Sequence, residues 1–171
     1  QIWFNLAWFD PSFRRNIPEI RRIIEKGRFL SEEDKKIVLQ KQIEILKDII
    51  PTYKEFLQKG QIEITLSPYF HPILPLIYNT KTAQEANLKT QLPNKSFSYP
   101  QDAAWQINES ASFFKKCFSA DLAGMWPSEE AVSRHIIPFL AEAGIKWIIS
   151  DEAILFKSLK KKRKPELLYK P

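Results

Sequence analysis

The sequence predicts an α/β fold with four parallel strands joined by crossover helices. Short apolar runs of β type alternate with longer runs of helical period, and each short run is closed by Pro, Ser or an acidic residue. Strands separated by helices in this way pair in parallel, because a parallel neighbour is reached only through a crossover. The 171 residues, 44% hydrophobic with 12 Phe, 5 Trp and 5 Tyr, suffice for one domain with a sizeable core.

The first β-type run is residues 1–8, rich in Ile, Trp, Phe and Leu and ended by Asp10 and Pro11. Pro18 opens a short helix that reaches Lys26, where Gly27 stops it. Ser31, three residues before Asp34, has the spacing of a capping box, with Asp in place of the usual Glu or Gln. A long amphipathic helix follows, with Leu39, Ile43, Leu46, Ile50, Tyr53 and Leu57 on its apolar face. Pro51 should kink it and Gly60 close it. Residues 61–66 read as the second strand.

Residues 69–75 are aromatic and proline-rich, which excludes a central strand or a long helix. Residues 78–98 form a long excursion. A helix over residues 100–117 places Ala104, Ile107, Ala111 and Phe114 on one side, and Cys117 reads as a buried thiol on that side. The third strand, residues 122–126, is short because Pro127 breaks it. Ser128 then caps a helix toward Glu142, bent at Pro138, with Gly144 beyond its end. Residues 145–149 are the fourth strand, and Trp3 and Trp147, lying within strands, read as core.

Charge and composition exclude several function classes. The net charge of +6 belongs to residues 157–171, which hold Lys157, Lys160, Lys161, Lys162, Arg163, Lys164 and Lys170 against Glu166 alone. The first 156 residues carry 19 basic and 19 acidic side chains, so no basic stripe points to nucleic acid. Residues 1–156 read as part of one domain and 157–171 as a basic loop or tail. No apolar run approaches the ~18 residues a membrane helix needs. One Cys and two His, 64 positions apart, leave few metal options, and no metal is expected. Neither a glycine-rich phosphate loop nor a G-x-S-x-G elbow is present, so no cofactor is expected and carboxylate chemistry remains. Compartment and oligomeric state are left open.

The functional signal lies after the strands. Asp10 follows the first, His71 the second, Glu129 the third and Asp151 the fourth, and the carboxyl ends of parallel strands share one face. Trp8 and Trp126 fall at the same ends, and an aromatic ring beside carboxylates suits the apolar face of a sugar. Each residue also has a structural reading. Asp10 shapes a turn before Pro11, His71 is a satisfied histidine, Glu129 complements a helix dipole, and Asp151 caps a helix. Their shared topological position favours the functional reading.

The run Trp-Phe-Asn-Leu-Ala-Trp-Phe-Asp at 3–10, Gly-Gln-Ile-Glu-Ile-Thr-Leu-Ser-Pro-Tyr-Phe-His-Pro-Ile-Leu-Pro-Leu at 60–76, Gly-Met-Trp-Pro-Ser-Glu at 124–129 and Trp-Ile-Ile-Ser-Asp-Glu at 147–152 resemble glycoside hydrolase family 57, in particular its amylopullulanase-like and α-amylase-like members. The resemblance implies a (β/α)7 barrel, TIM-barrel-like, of which these residues are a partial, central piece. It implies action on an α-glucan or maltooligosaccharide with retention of configuration, as a hydrolase or 4-α-glucanotransferase. Glu129 matches the family's nucleophile and His71 its second motif, near the sugar subsite. Trp8, Asp10, Trp126 and Asp151 are then substrate-binding residues. The first turn of a helix would favour a charged Glu129.

Two departures accompany the resemblance. Glu130 stands where the family pattern has Gly, and is expected to point into solvent. The family's His-Gln-Pro motif and its acid/base Asp have no counterpart here and are expected outside Gln1 and Pro171, so the isolated piece is expected to be inactive. Two other readings compete: a metal-dependent carbohydrate deacetylase with Asp10 and His71 as ligands, and a non-catalytic carbohydrate-binding protein.

Overall fold

A computed structural model describes residues 1–162. The chain divides into two compact units, residues 1–61 and residues from 62 onward.

The first unit is helical throughout: α1 (Ile2–Ala7), α2 (Pro11–Asn16), α3 (Pro18–Lys26) and α4 (Glu32–Gln58). The expected first strand is therefore a helix. In α1, Ile2 and Leu6 are one helical turn apart, and Leu6 is buried with Phe9, Ile20, Ile23 and Val38 while Ile2 packs at the edge of that core. Burying a Leu or Phe contributes about 1.5–3 kcal/mol, more than the ~1 kcal/mol span of strand propensity, so packing decides the conformation. Trp3, expected in the core, is half exposed because the helix turns it away from that cluster. Arg14 closes the end of α1, its guanidinium donating to the carbonyls of Phe9 (2.7 Å) and Ala7 (2.9 Å), groups a helix end leaves without partners.

The expected helix from Pro18 to Lys26 forms, with Gly27 at its end. The capping box also forms. Asp34 N–H donates to Ser31 Oγ (3.2 Å), and Ser31 N–H donates back to Asp34 Oδ2 (2.8 Å). Lys26 Nζ lies 2.5 Å from the same Oδ2. That ammonium first, and the Ser31 N–H next, hold the Asp34 carboxyl down at about 2. Lys41 bridges Glu19 (3.1 Å) on α3 and Glu44 (3.0 Å) on its own helix.

Helix α4 continues through Pro51 and ends in a Schellman motif. Gly60 N–H donates to the Leu57 carbonyl and Gln61 N–H to that of Phe56, each at 3.0 Å, with Gly60 at φ +66°. Its packed seam differs from the expected one. Asp34, Val38, Ile37 and Ile45 face the core, whereas Leu39, Ile43, Leu46, Ile50 and Tyr53 are exposed. A rotation of one residue, about 100° on a helix, separates the two stripes.

The second unit holds the parallel pairing. Strand β1 (Gly124–Met125) pairs with β2 (Trp147–Ile148) in the register Gly124 to Trp147 and Met125 to Ile148. On the other side of β1, Leu66 forms a single parallel bridge to Met125, and Trp126 N–H donates to its carbonyl (3.0 Å). Of the four expected strands, two form as two-residue strands, one is reduced to this bridge and one is α1.

Around these segments lie α5 (Leu74–Tyr78), α6 (Ala83–Ala86), α7 (Pro100–Phe118), α8 (Ile137–Glu142) and α9 (Glu152–Ser158). Helix α7 buries Ala103, Ile107, Ser110, Phe114 and Phe118 at i, i+4, i+7, i+11 and i+15. This seam shares Ile107 and Phe114 with the expected one and leaves Cys117 part-exposed, not buried as expected. The excursion after α5 is pinned at its base, where Thr80 N–H donates to Phe97 O (3.0 Å) and Tyr99 N–H to Ile77 O (2.9 Å). Of the expected basic tail, Lys157 lies in the last turn of α9 and residues 163–171 lie outside the described part.

Candidate active site

The loop after Leu66 is tied to α7 at three points. Ser110 Oγ donates to Ser67 O (2.8 Å), Tyr69 N–H donates to the Gln106 carbonyl (3.2 Å), and Phe70 N–H donates to Gln106 Oε1 (2.8 Å). His71 N–H then closes a turn onto Pro68 O (2.8 Å), and His71 itself takes φ +58°. Gln106, one of several polar residues on α7, carries no sequence signal that would have marked it as the clamp.

The loop after β1 turns as sharply. Glu130 N–H donates to Pro127 O (2.8 Å) and Ala131 N–H to Ser128 O (3.1 Å), making a single 3-10 turn over Ser128–Glu130. Glu129 has φ +57° and Glu130 φ +54°. The expected helix from Ser128 to Glu142 therefore begins only at Ile137, and Pro138 initiates it where a bend was expected. Glu129 is not in the first turn of a helix, so the dipole argument for its charge does not hold. Left-handed backbone at three side-chain-bearing residues costs on the order of 1–3 kcal/mol each, and such strain clusters at functional sites.

These two turns meet. His71 Nε2 lies 3.8 Å from Glu129 Oε1, and the imidazole lies against Trp126 with ring centroids 5.6 Å apart. The Glu129 side chain is 71% exposed and that of His71 48%, so both open onto solvent. Ser128, beside Glu129, is buried, and its hydroxyl has no hydrogen-bond partner among the described residues. Glu130, expected to point into solvent, is half-buried.

The remaining expected site residues have other engagements. Asp151 caps α9, its Oδ1 accepting from Ala153 N–H (2.7 Å). Asp10 caps α2 in the same way through Ser12 N–H (2.7 Å), and Trp8 is exposed with its ring edge-on to Phe4; both belong to the first unit. Trp147, expected in the core, is part-exposed, its indole N–H donating to Glu63 Oε1 (3.0 Å). His135 lies in the turn before α8, stacked on Tyr78 at 5.0 Å. A cleft of about 670 Å3 in this unit, lined by Ile73, Leu76, Thr82, Ala131, Val132 and Ile148 among others, includes neither His71 nor Glu129 in its wall. Among the described residues, no group of three or more His, Cys, Asp or Glu is placed to hold a metal ion.

A carboxylate and an imidazole at the carboxyl ends of adjacent parallel segments occupy the position of a strand-end site in α/β proteins. The profile described as glycosyl hydrolase family 57 matches residues 1–171, and the chain belongs to that family. It is 29% identical over 99 residues to alpha-amylase 1 of Dictyoglomus thermophilum, an alignment covering 58% of this chain and 11% of that protein. Two crystal structures share its fold. The GH57-type branching enzyme of Pyrococcus horikoshii matches with TM-score 0.54 and 16% identity over 96% of this chain and 29% of its own. The α-amylase AmyC of Thermotoga maritima matches with TM-score 0.50 and 17% identity over 88% of this chain and 24% of its own. The chain thus spans about a tenth of the curated relative and about a quarter of each solved structure.

Proposed function

We propose that this chain carries the nucleophile of a retaining α-glucan hydrolase or 4-α-glucanotransferase, with both units belonging to one catalytic domain. The observation that carries the reading is the approach of His71 to Glu129, 3.8 Å apart and open to solvent, at the ends of two parallel segments. Family membership supports the α-glucan class, as does the amylase and branching activity named for the relatives.

In this reading the Glu129 carboxylate attacks the anomeric carbon and forms a glycosyl-enzyme ester while the glycosidic oxygen leaves with a proton. Water or an acceptor sugar then displaces Glu129. His71 holds the sugar beside the carboxylate by hydrogen bonding to a hydroxyl, and Trp126 covers the ring's apolar face. Retention needs a second carboxyl about 5–5.5 Å from the nucleophile. Asp151 already accepts a backbone N–H at α9, so the proton donor is assigned to another strand end of the complete domain, and Asp151 to the subsite floor.

The test is turnover of maltooligosaccharides by the full-length protein and its Glu129→Gln variant. A carboxamide is isosteric but not nucleophilic, so kcat should fall by at least about a thousandfold with the fold intact. Unchanged turnover would remove Glu129 from the chemistry.

A further inference from the structure

Next to His71 on the chain lies a group of aromatic rings that the proposed chemistry does not use. Tyr69 packs edge-on against Phe70, Trp105 and Phe113, with centroids 4.7, 5.7 and 5.8 Å away. Phe70 and Trp105, thus held, lie within 30° of parallel with centroids 6.0 Å apart. Both remain open to water, Phe70 at 72% and Trp105 at 47% exposure.

We propose that Phe70 and Trp105 form a platform that stacks a glucosyl residue of the α-glucan chain beyond the unit held at His71 and Glu129. The proposal rests on the α-glucan reading above. Three features point to a sugar. Pyranose rings present an apolar C–H face, and flat π surfaces match that face where an aliphatic patch would not. The platform is also preformed, because Gln106 grips the backbone on both sides of the Tyr69–Phe70 bond and Trp105 is its neighbour on α7. Little side-chain freedom is then lost on binding. Finally, Phe70 directly precedes His71, so the backbone that carries the platform is the backbone that carries the candidate site, with the two Cα atoms only about 3.8 Å apart.

The experiment measures kcat and KM of the full-length protein on maltotriose and maltoheptaose, for the wild type and for Trp105→Ala, Phe70→Ala and Trp105→Phe. The alanine variants should raise KM for maltoheptaose about tenfold, with kcat within about twofold and maltotriose kinetics unchanged. Trp105→Phe, which keeps a flat ring, should restore most of the loss. Equal effects on the two substrates, or none on either, would overturn the platform while leaving Glu129 in place. A loss of folding stability in both alanine variants with no change in the maltoheptaose to maltotriose ratio would make the patch a packing surface for polypeptide. A wild-type protein that neither binds nor cleaves any maltooligosaccharide would overturn the α-glucan reading and the platform with it.

Discussion

The indole of Trp147 lies against Gly124 on the neighbouring strand, so closely that a Cβ at position 124 would sit 2.3 Å from two of its ring carbons. The pair is in direct register between β1 and β2, and the Trp147 indole N–H, beside the ring carbons nearest Gly124, donates to Glu63 Oε1. The strand that leads to Trp126 and Glu129 is thus set by a glycine chosen for its missing side chain.

Gly124→Ala should therefore destabilise the protein by about 1–3 kcal/mol, the usual cost of forcing a group into a filled space. A urea denaturation midpoint that falls by the corresponding amount checks this. Pairing the change with Trp147→Ala, which opens the space, should recover part of the loss attributable to the clash. An alanine at 124 as stable as the wild type would mean that Trp147 does not lie there.

Glu130→Gly should stabilise. Position 130 has φ +54°, where a side chain costs about 1–2 kcal/mol and glycine almost nothing. The extra freedom glycine brings to the unfolded chain offsets about 0.4–1 kcal/mol of that gain. A net increase of about 0.5–1 kcal/mol is expected, and none for Glu130→Ala, which keeps the Cβ. Thermal melts of the three proteins decide the matter. Finding the glycine variant no more stable than the alanine variant would contradict the left-handed turn.

Acid should weaken the junction between α3 and α4. The Asp34 carboxyl titrates at about 2 in the folded protein against 3.8 for the free group, because the Lys26 ammonium and the Ser31 N–H favour its charged form. A depressed folded value means that the contribution is complete above about pH 4 and is lost as pH falls toward 2. Stability measured between pH 5 and 2 should fall more steeply for the wild type than for Asp34→Asn, which can cap the helix but carries no charge. Parallel pH curves would show that the carboxylate contributes nothing through its charge.

Local rules proved legible at several points where one or two residues decide the backbone, though the helix cap expected at Ser128 did not form. Pro18 and Gly27 bound α3, Ser31 and Asp34 cap α4, and Gly60 ends it. Asp10 and Asp151 took the capping roles that their short acceptor side chains allow. The order of extended segments from Leu66 to β2 was legible too, and it placed His71 and Glu129 on one side of the pairing. What failed were readings that depend on which neighbour is present. Residues 1–8 suit a strand by type, yet Leu6 finds its core as a helix. The seam of α4 is displaced by one residue because Val38, not Leu39, meets Ile20 and Ile23.

Residue chemistry and spacing by themselves determined the family, the caps and the strand-end position of the candidate nucleophile, because each is written in a short contiguous stretch. Only the tertiary structure decided that Glu129 and Glu130 sit in a left-handed turn ahead of any helix, that Gln106 clamps the loop bearing His71, and that Phe70 and Trp105 face water together. The clamp and the ring pair arise between segments 35 or more positions apart, where packing and hydrogen bonding across the fold outweigh the preference of any one residue.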